Sequence, residues 1–312
     1  MLTALRQTLS VRRTLLTLYG LLLLLALPSA LAFFTTLQTE IGRSLAFENL
    51  LNGFDYTVYA DFMHHSERAV SPLLSVGRWT TVLYVLLSLF LTGGILHQFA
   101  EPAEPYRTTL FWQASRQHVG RFVRLFGVTL LFVLAVLSVP LLAGTLLGIV
   151  LADHVTEREL FFVGLASVLL AGGLVTLVLC ISDYAKVILF RHEERNVFRA
   201  FGRAGRLVLA HGRATYGRYL LLIGIGTAWF GLYLLLDSLL PMRNWPTMLL
   251  MVVVQQVFIA GRALLKIWTL GTAYTVYDTV APAALYGPAA QPAGLRTPDE
   301  PDTPAEPEPV HS

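Results

Sequence analysis

The chain has 312 residues, 55% of them hydrophobic and only 14% charged, with a formal net charge of +3 and a mean hydropathy of +0.61. A soluble domain carries about 25% charged residues, so composition excludes an ordinary water-soluble globule and points to an integral membrane protein. The small net charge conceals a larger basic excess, because acidic residues collect in the C-terminal tail, and the lone cysteine, Cys180, allows no intrachain disulfide.

The N-terminus carries Arg6, Arg12 and Arg13. Residues 14–34 follow as an apolar run long enough to cross a bilayer, which takes about 20 residues. Arg12-Arg13 and Ala30-Leu31-Ala32 also fit a secretory signal with a small-x-small cleavage site. The run is longer than a signal core and the rest of the chain is polytopic, so a retained first span is the preferred reading. Residues 35–77 form a polar loop. Within it, residues 44–54 and 55–63 alternate apolar and polar side chains at helical spacing, and Asp55 is placed as an N-cap. Two short helices on the membrane surface are expected there.

The second span is expected over 79–99, opening on Trp79 at an interface. Residues 100–124 start with the Glu101-Pro102 and Glu104-Pro105 turns and continue as a basic amphipathic segment with Arg107, Arg116, Arg121 and Arg124. The third span is expected over 125–150, kinked at Pro140. Gly144 and Gly148 there form a small-xxx-small pair that admits a close helix neighbour. An acidic turn with Asp153, Glu157 and Glu159 leads to a fourth span over 160–182. The fifth and sixth spans, 219–240 and 247–270, are joined by a tight turn. From residue 281 to 312 proline and acidic residues dominate, which predicts a disordered tail after a transmembrane domain of residues 1–280. The fold class is all-α: a polytopic six-helix transmembrane bundle with amphipathic cytoplasmic helices.

The N-terminus and the stretches after the second and fourth spans are Arg-rich, whereas the other connections are acidic or nearly neutral. The positive-inside rule then puts both termini in the cytoplasm.

The most basic stretch is Asp183 to Arg218. Wound as one α-helix at about 100° per residue, it gathers Arg191, Arg195, Arg199, Arg203, Arg206 and Arg213 within an arc of roughly 120°. Val197, Ala200, Phe201, Ala204, Leu207 and Val208 fall opposite. Such a helix is expected to lie at the membrane surface, its guanidinium groups toward lipid phosphate and its apolar face on the bundle. Anionic headgroups are the nearest counter-charge, which makes nucleic acid the poorer reading. A protein partner or a second copy of the chain is the alternative occupant.

Four polar residues fall inside or beside the spans. Gln255 and Gln256 lie about 14 Å into the sixth, near the midplane. They line a transport path or form interhelical hydrogen bonds, the second being the preferred reading. Arg262 and Lys266 lie further along and can snorkel to headgroups. Asp183 reaches a similar depth, so a pair between Asp183 and Arg262, or between Asp183 and Lys266, is expected. Asp61, His64 and His65 share one helical face but lack a further metal ligand, so neither metal nor cofactor is expected. Glu193-Glu194 with Arg199 is one position out of register for the paired-glutamate motif of membrane prenyl-protein proteases, and no other catalytic signature is present in the sequence. Leu91-Thr92-Gly93-Gly94-Ile95 and Leu170-Ala171-Gly172-Gly173-Leu174 parallel each other, as do Gly120-Arg121-Phe122 and Gly217-Arg218-Tyr219, which suggests a duplicated helix–loop–helix unit.

Several short motifs together carry a resemblance. They are Gly53-Phe54-Asp55, Ala60-Asp61-Phe62, Gly93-Gly94-Ile95-Leu96, Arg121-Phe122-Val123-Arg124-Leu125 and Ser182-Asp183-Tyr184-Ala185-Lys186. With these, the chain resembles uncharacterised bacterial six-span integral membrane proteins and, more loosely, the membrane domain attached to some glycerophosphodiester phosphodiesterases. The resemblance implies a bacterial inner-membrane bundle. It implies no phosphodiesterase activity, because the soluble catalytic domain has no counterpart in this sequence. The leading expectation is a non-enzymatic membrane protein that binds anionic lipid or a partner through its basic cytoplasmic helices. A permease component with a polar midplane site is the second reading, and an intramembrane enzyme the third.

Overall fold

The computed structural model describes residues 12–40, 56–57, 67–101, 107–151, 154–194, 196–240 and 244–281. Its helices are α1 (Arg12–Glu40), α2 (Glu67–Ala100), α3 (Thr108–Leu151), α4 (Glu157–Arg191), α5 (Val197–Ala210), α6 (Tyr216–Leu239) and α7 (Trp245–Val280). All but α5 are long and apolar enough to cross a membrane. The expected surface helices of the first loop lie outside the described residues apart from Tyr56 and Thr57, which are helical. The C-terminal tail from residue 282 lies outside them as well.

Each long helix contains a stretch without Asp, Glu, Lys or Arg. These windows are 14–39 in α1, 79–100 in α2, 125–151 in α3, 160–182 in α4, 219–236 in α6 and 245–261 in α7. They fall close to the expected spans except the sixth, where the window ends at 261 and the expected span at 270, and the helices do not stop at their edges. The α3 helix has 44 residues, α4 35 and α7 36, so at 1.5 Å per residue they reach about 66, 53 and 54 Å. A bilayer core is about 30 Å thick. The basic segment expected as a separate element before the third span is therefore the first five turns or so of α3 itself, and the helix also runs unbroken through Pro140.

Local chemistry sets the starts. The Glu159 carboxylate accepts the Thr156 N–H at 2.9 Å and its hydroxyl at 3.2 Å, which satisfies a backbone donor at the head of α4. At the head of α7 the Asn244 carbonyl accepts both the Thr247 hydroxyl and the Met248 N–H.

Antiparallel alternation brings the C-terminal ends of α2, α4 and α7 together with the start of α3, and α5 joins them there. The buried core sits at this α5 end. Ile95, Leu96, Phe111, Phe122, Leu125, Ile188, Leu189 and Ile267 are all inaccessible or nearly so. Backbones approach closely in the same region. A side chain added at Gly93 would strike the Ala114 carbonyl oxygen, one at Gly94 the Phe111 ring and one at Gly271 the Phe99 ring. The matching Gly172-Gly173 in α4 meets nothing within 4 Å, so the repeated sequence motif is not a repeated contact. Of the small-xxx-small pair, Gly144 abuts Ser167 of α4 and Gly148 stands clear.

The first span belongs to the bundle. Tyr19 of α1 donates to Gln256 of α7 at 2.6 Å, and Ser29 and Thr80 of α2 share a hydrogen bond of 2.9 Å.

Candidate functional site

The basic stretch does not form one helix. The α4 helix carries on to Arg191, and the chain then turns through Glu193, whose φ of 45° is the left-handed conformation that ends helices. Asn196 caps α5, its side-chain oxygen accepting the Arg199 N–H at 3.2 Å. The six arginines consequently separate. Arg191 leaves by α4, Arg195 lies outside the described residues, Arg213 is exposed in the turn after α5, and only Arg199, Arg203 and Arg206 share α5.

Two of these guanidinium groups are structural. Arg191 donates from Nε and Nη2 to the Tyr274 hydroxyl at 3.2 and 3.0 Å, lies 4.9 Å from that ring's centre, and forms an ion pair with Asp278. Beside it, His192 Nε2 lies 2.9 Å from the Tyr277 hydroxyl. Tyr274, Tyr277 and Asp278 occupy one face of α7 by their three- and four-residue spacing, so the end of α4 is fastened along the end of α7. Arg203 forms an ion pair with Glu194 and ties α5 to the preceding turn. Burial holds the His192 imidazole below its ordinary value. Glu194 opposes this, while Arg191 and Arg203 reinforce it.

The apolar face of α5 packs as its periodicity predicts. Val197, Ala200, Phe201, Ala204 and Val208 are buried. Phe201 stacks on Phe132 of α3 at 4.8 Å, and a side chain at Gly205 would touch Ile181 of α4 at 3.9 Å. Phe132 and Ile181 both lie inside charge-free windows, which places α5 at the edge of the apolar slab. Its outward face is mixed. Arg199 and Arg206 are exposed, and so are Phe198 at 66% and Leu209 at 70%. On the helical wheel Phe198 and Leu209 fall about 20° apart, adjoining the arginines. That pair escaped the sequence reading, which sorted arginines from core positions and left the flank between them unread. The Thr215 hydroxyl closes the following turn by donating to the Val208 and His211 carbonyls at 3.2 and 2.9 Å.

The intramembrane charged residues find partners other than those expected, whereas Gln256 forms an interhelical hydrogen bond as expected. Asp183 pairs with Lys186, one turn along the same helix, at 2.7 Å, and not with Arg262. Residues three apart on one helix meet without any adjustment of neighbouring helices, and that local geometry wins. Lys266 donates to Ser88 of α2 at 2.5 Å and lies 5.9 Å from the Tyr84 ring centre. It still feels the Asp183 carboxylate and the Lys186 ammonium. Arg262 is exposed and lines a groove of about 480 Å³ between α6 and α7, with Ile223, Gly226, Thr227, Phe230, Phe258 and Leu265. Gln256 accepts the Tyr19 bond and Gln255 is half-buried; neither lines that groove.

Among the described residues no group of His, Cys, Asp and Glu is placed to hold a metal ion. Asp61, His64 and His65 lie outside those residues. In comparisons with known proteins no family model, no curated protein and no solved structure matches the chain.

Proposed function

We propose that this chain is a non-enzymatic, multi-pass protein of a bacterial inner membrane that engages anionic lipid through the outward face of α5. The observation that carries this reading is the adjacency of exposed Phe198 and Leu209 to exposed Arg199 and Arg206 on α5. A face turned to water has no use for two large apolar side chains. A face at the headgroup boundary uses both kinds, apolar groups toward acyl chain and guanidinium groups toward phosphate. Each arginine near an anionic leaflet adds roughly 1 kcal/mol. The Arg-rich connections on the α5 side support a cytoplasmic location for that end and for both termini. The Tyr19–Gln256 hydrogen bond supports a structural use of the midplane amide and weighs against a permease path through it.

The test is lipid enrichment around the full chain in nanodiscs that mix phosphatidylglycerol with phosphatidylcholine. Combined replacement Arg199→Gln, Arg206→Gln, Phe198→Ser and Leu209→Ser is expected to lower phosphatidylglycerol enrichment while the helical content stays the same. Unchanged enrichment refutes the reading. Orientation is checked by impermeant thiol labelling of Asp61→Cys and Arg206→Cys, the native Cys180 being buried. The first is expected to label from the periplasmic side and the second only after the membrane is opened.

A further inference from the structure

The α6–α7 groove departs from the rule that lipid-facing membrane surface is apolar. Arg262 is exposed there, and the residues that share the groove fix its depth. Ile223 and Thr227 lie five and nine residues past Arg218, where the charge-free window of α6 begins. Measured against α6 the Arg262 backbone is roughly 8–14 Å inside that boundary, although on α7 itself it directly follows the last charge-free residue, Gly261. An ionised side chain at such depth is costly unless it meets a counter-charge or water. Asp183, the carboxylate expected beside it, is engaged by Lys186. Lys266, one turn further along α7, adds positive charge between Arg262 and the α5 end. The cations Arg262, Lys186 and Lys266 thus outnumber the single carboxylate.

Below Arg262 the groove turns apolar and aromatic. Phe230 and Phe258 lie with ring centres 6.1 Å apart, and Phe258 stacks on Tyr233 at 4.6 Å. Gly226 leaves the floor open, since a side chain there would meet only Leu265, at 3.8 Å. A cation in the groove wall and an apolar trough that runs toward the midplane have the polarity of one phospholipid of the leaflet at the α5 end.

We propose that this groove is a binding site for a single anionic phospholipid, its phosphate on Arg262 and one acyl chain along Gly226, Phe230 and Phe258. The site is separate from α5 and does not depend on the role proposed for that helix.

Native mass spectrometry of the full chain, released from nanodiscs with equal phosphatidylglycerol and phosphatidylcholine, reads the site directly. The parent is expected to keep one phosphatidylglycerol in preference to phosphatidylcholine. Arg262→Gln is expected to cut that preference about fivefold, and Arg262→Lys to keep most of it. Gly226→Leu fills the floor and is expected to lose the retained lipid of either kind. Arg199→Gln with Arg206→Gln is expected to leave the retained lipid in place, which separates this site from the surface of α5. Equal retention in the parent and in Gly226→Leu overturns the proposal, as does an unchanged preference in Arg262→Gln. Loss of the lipid in the α5 variant alone also overturns it. If Arg262→Gln fails to fold, Gly226→Leu and Arg262→Lys decide the matter.

Discussion

The two ends of the bundle are built on different physics. At the α5 end, α3, α4 and α7 overrun the apolar slab and pack with the end of α2 into a core in which Phe122, Leu125 and Ile188 are fully buried. Ion pairs and tyrosine hydroxyls fasten the rim of that core. At the far end the helices are as apolar but hardly packed, and Leu146, Ile149, Val150, Phe161 and Leu239 stand open. Water drives burial only where helices leave the lipid. Inside the bilayer an acyl chain contacts leucine as well as another leucine does, so packing there rests on shape and a few hydrogen bonds. Stability should therefore be concentrated at the α5 end.

The comparison is tested hardest by truncating a buried apolar side chain at one end and an exposed one at the other. Phe122→Ala is expected to cost about 3–5 kcal/mol, because it empties a site with 0% exposure. Val150→Ala, at a position 72% exposed, should cost under about 0.5 kcal/mol. Unfolding midpoints in nanodiscs read both, and similar losses would break the distinction.

A finer version uses the paired glycine motif. Gly93→Ala pushes a Cβ to 2.8 Å from the Ala114 carbonyl oxygen. Helix backbone has little room to yield, so a loss of about 1–3 kcal/mol is expected. Gly172→Ala meets nothing within 4 Å and should be neutral or slightly stabilising, since alanine is the better helix former. Equal effects in thermal unfolding would mean that the duplicated motif is a duplicated contact after all.

Polar fastenings are worth less. Arg191→Ala removes the bonds to Tyr274 and Asp278, and because that pair is about a third exposed a loss of about 1 kcal/mol is expected. Ser29→Ala removes one hydrogen bond inside the slab, about 0.6 kcal/mol. A double substitution Arg191→Ala with Asp278→Ala that costs no more than Arg191→Ala alone would confirm that the two act as a unit.

The smallest expected effect is on pH dependence. Burial lowers the His192 pKa in the folded chain, so the unfolded chain binds more protons just below the ordinary value of 6.5. The contribution of His192 is complete above that value and is lost as pH falls through the lowered folded value. His192→Gln should flatten that part of the stability profile between pH 7 and 5, and an unchanged slope would move the titration elsewhere.

Charge-free windows of about 20 residues need only hydropathy to be read, because a bilayer accepts any helix that is long and apolar enough. That is why the six spans and the amphipathic register of α5 were legible in the sequence. Helix length beyond the slab was not. Residues 108–124 and 183–191 read as basic amphipathic segments separate from the spans, and they continue α3 and α4 because their neighbours supply a core. Partner choice was not legible either. Depth along the chain put Asp183 beside Arg262, but depth says nothing of azimuth, and the rotation of α4 and α7 gave Asp183 to Lys186 and left Arg262 facing the groove. The same holds for Gly93 and Gly172, alike in local sequence and opposite in surroundings. Sequence by itself determined which segments become helices in lipid, since that depends on composition and length. Tertiary structure alone decided which faces touch, because lipid-soluble helices are apolar all round and carry little pattern to mark one face from another.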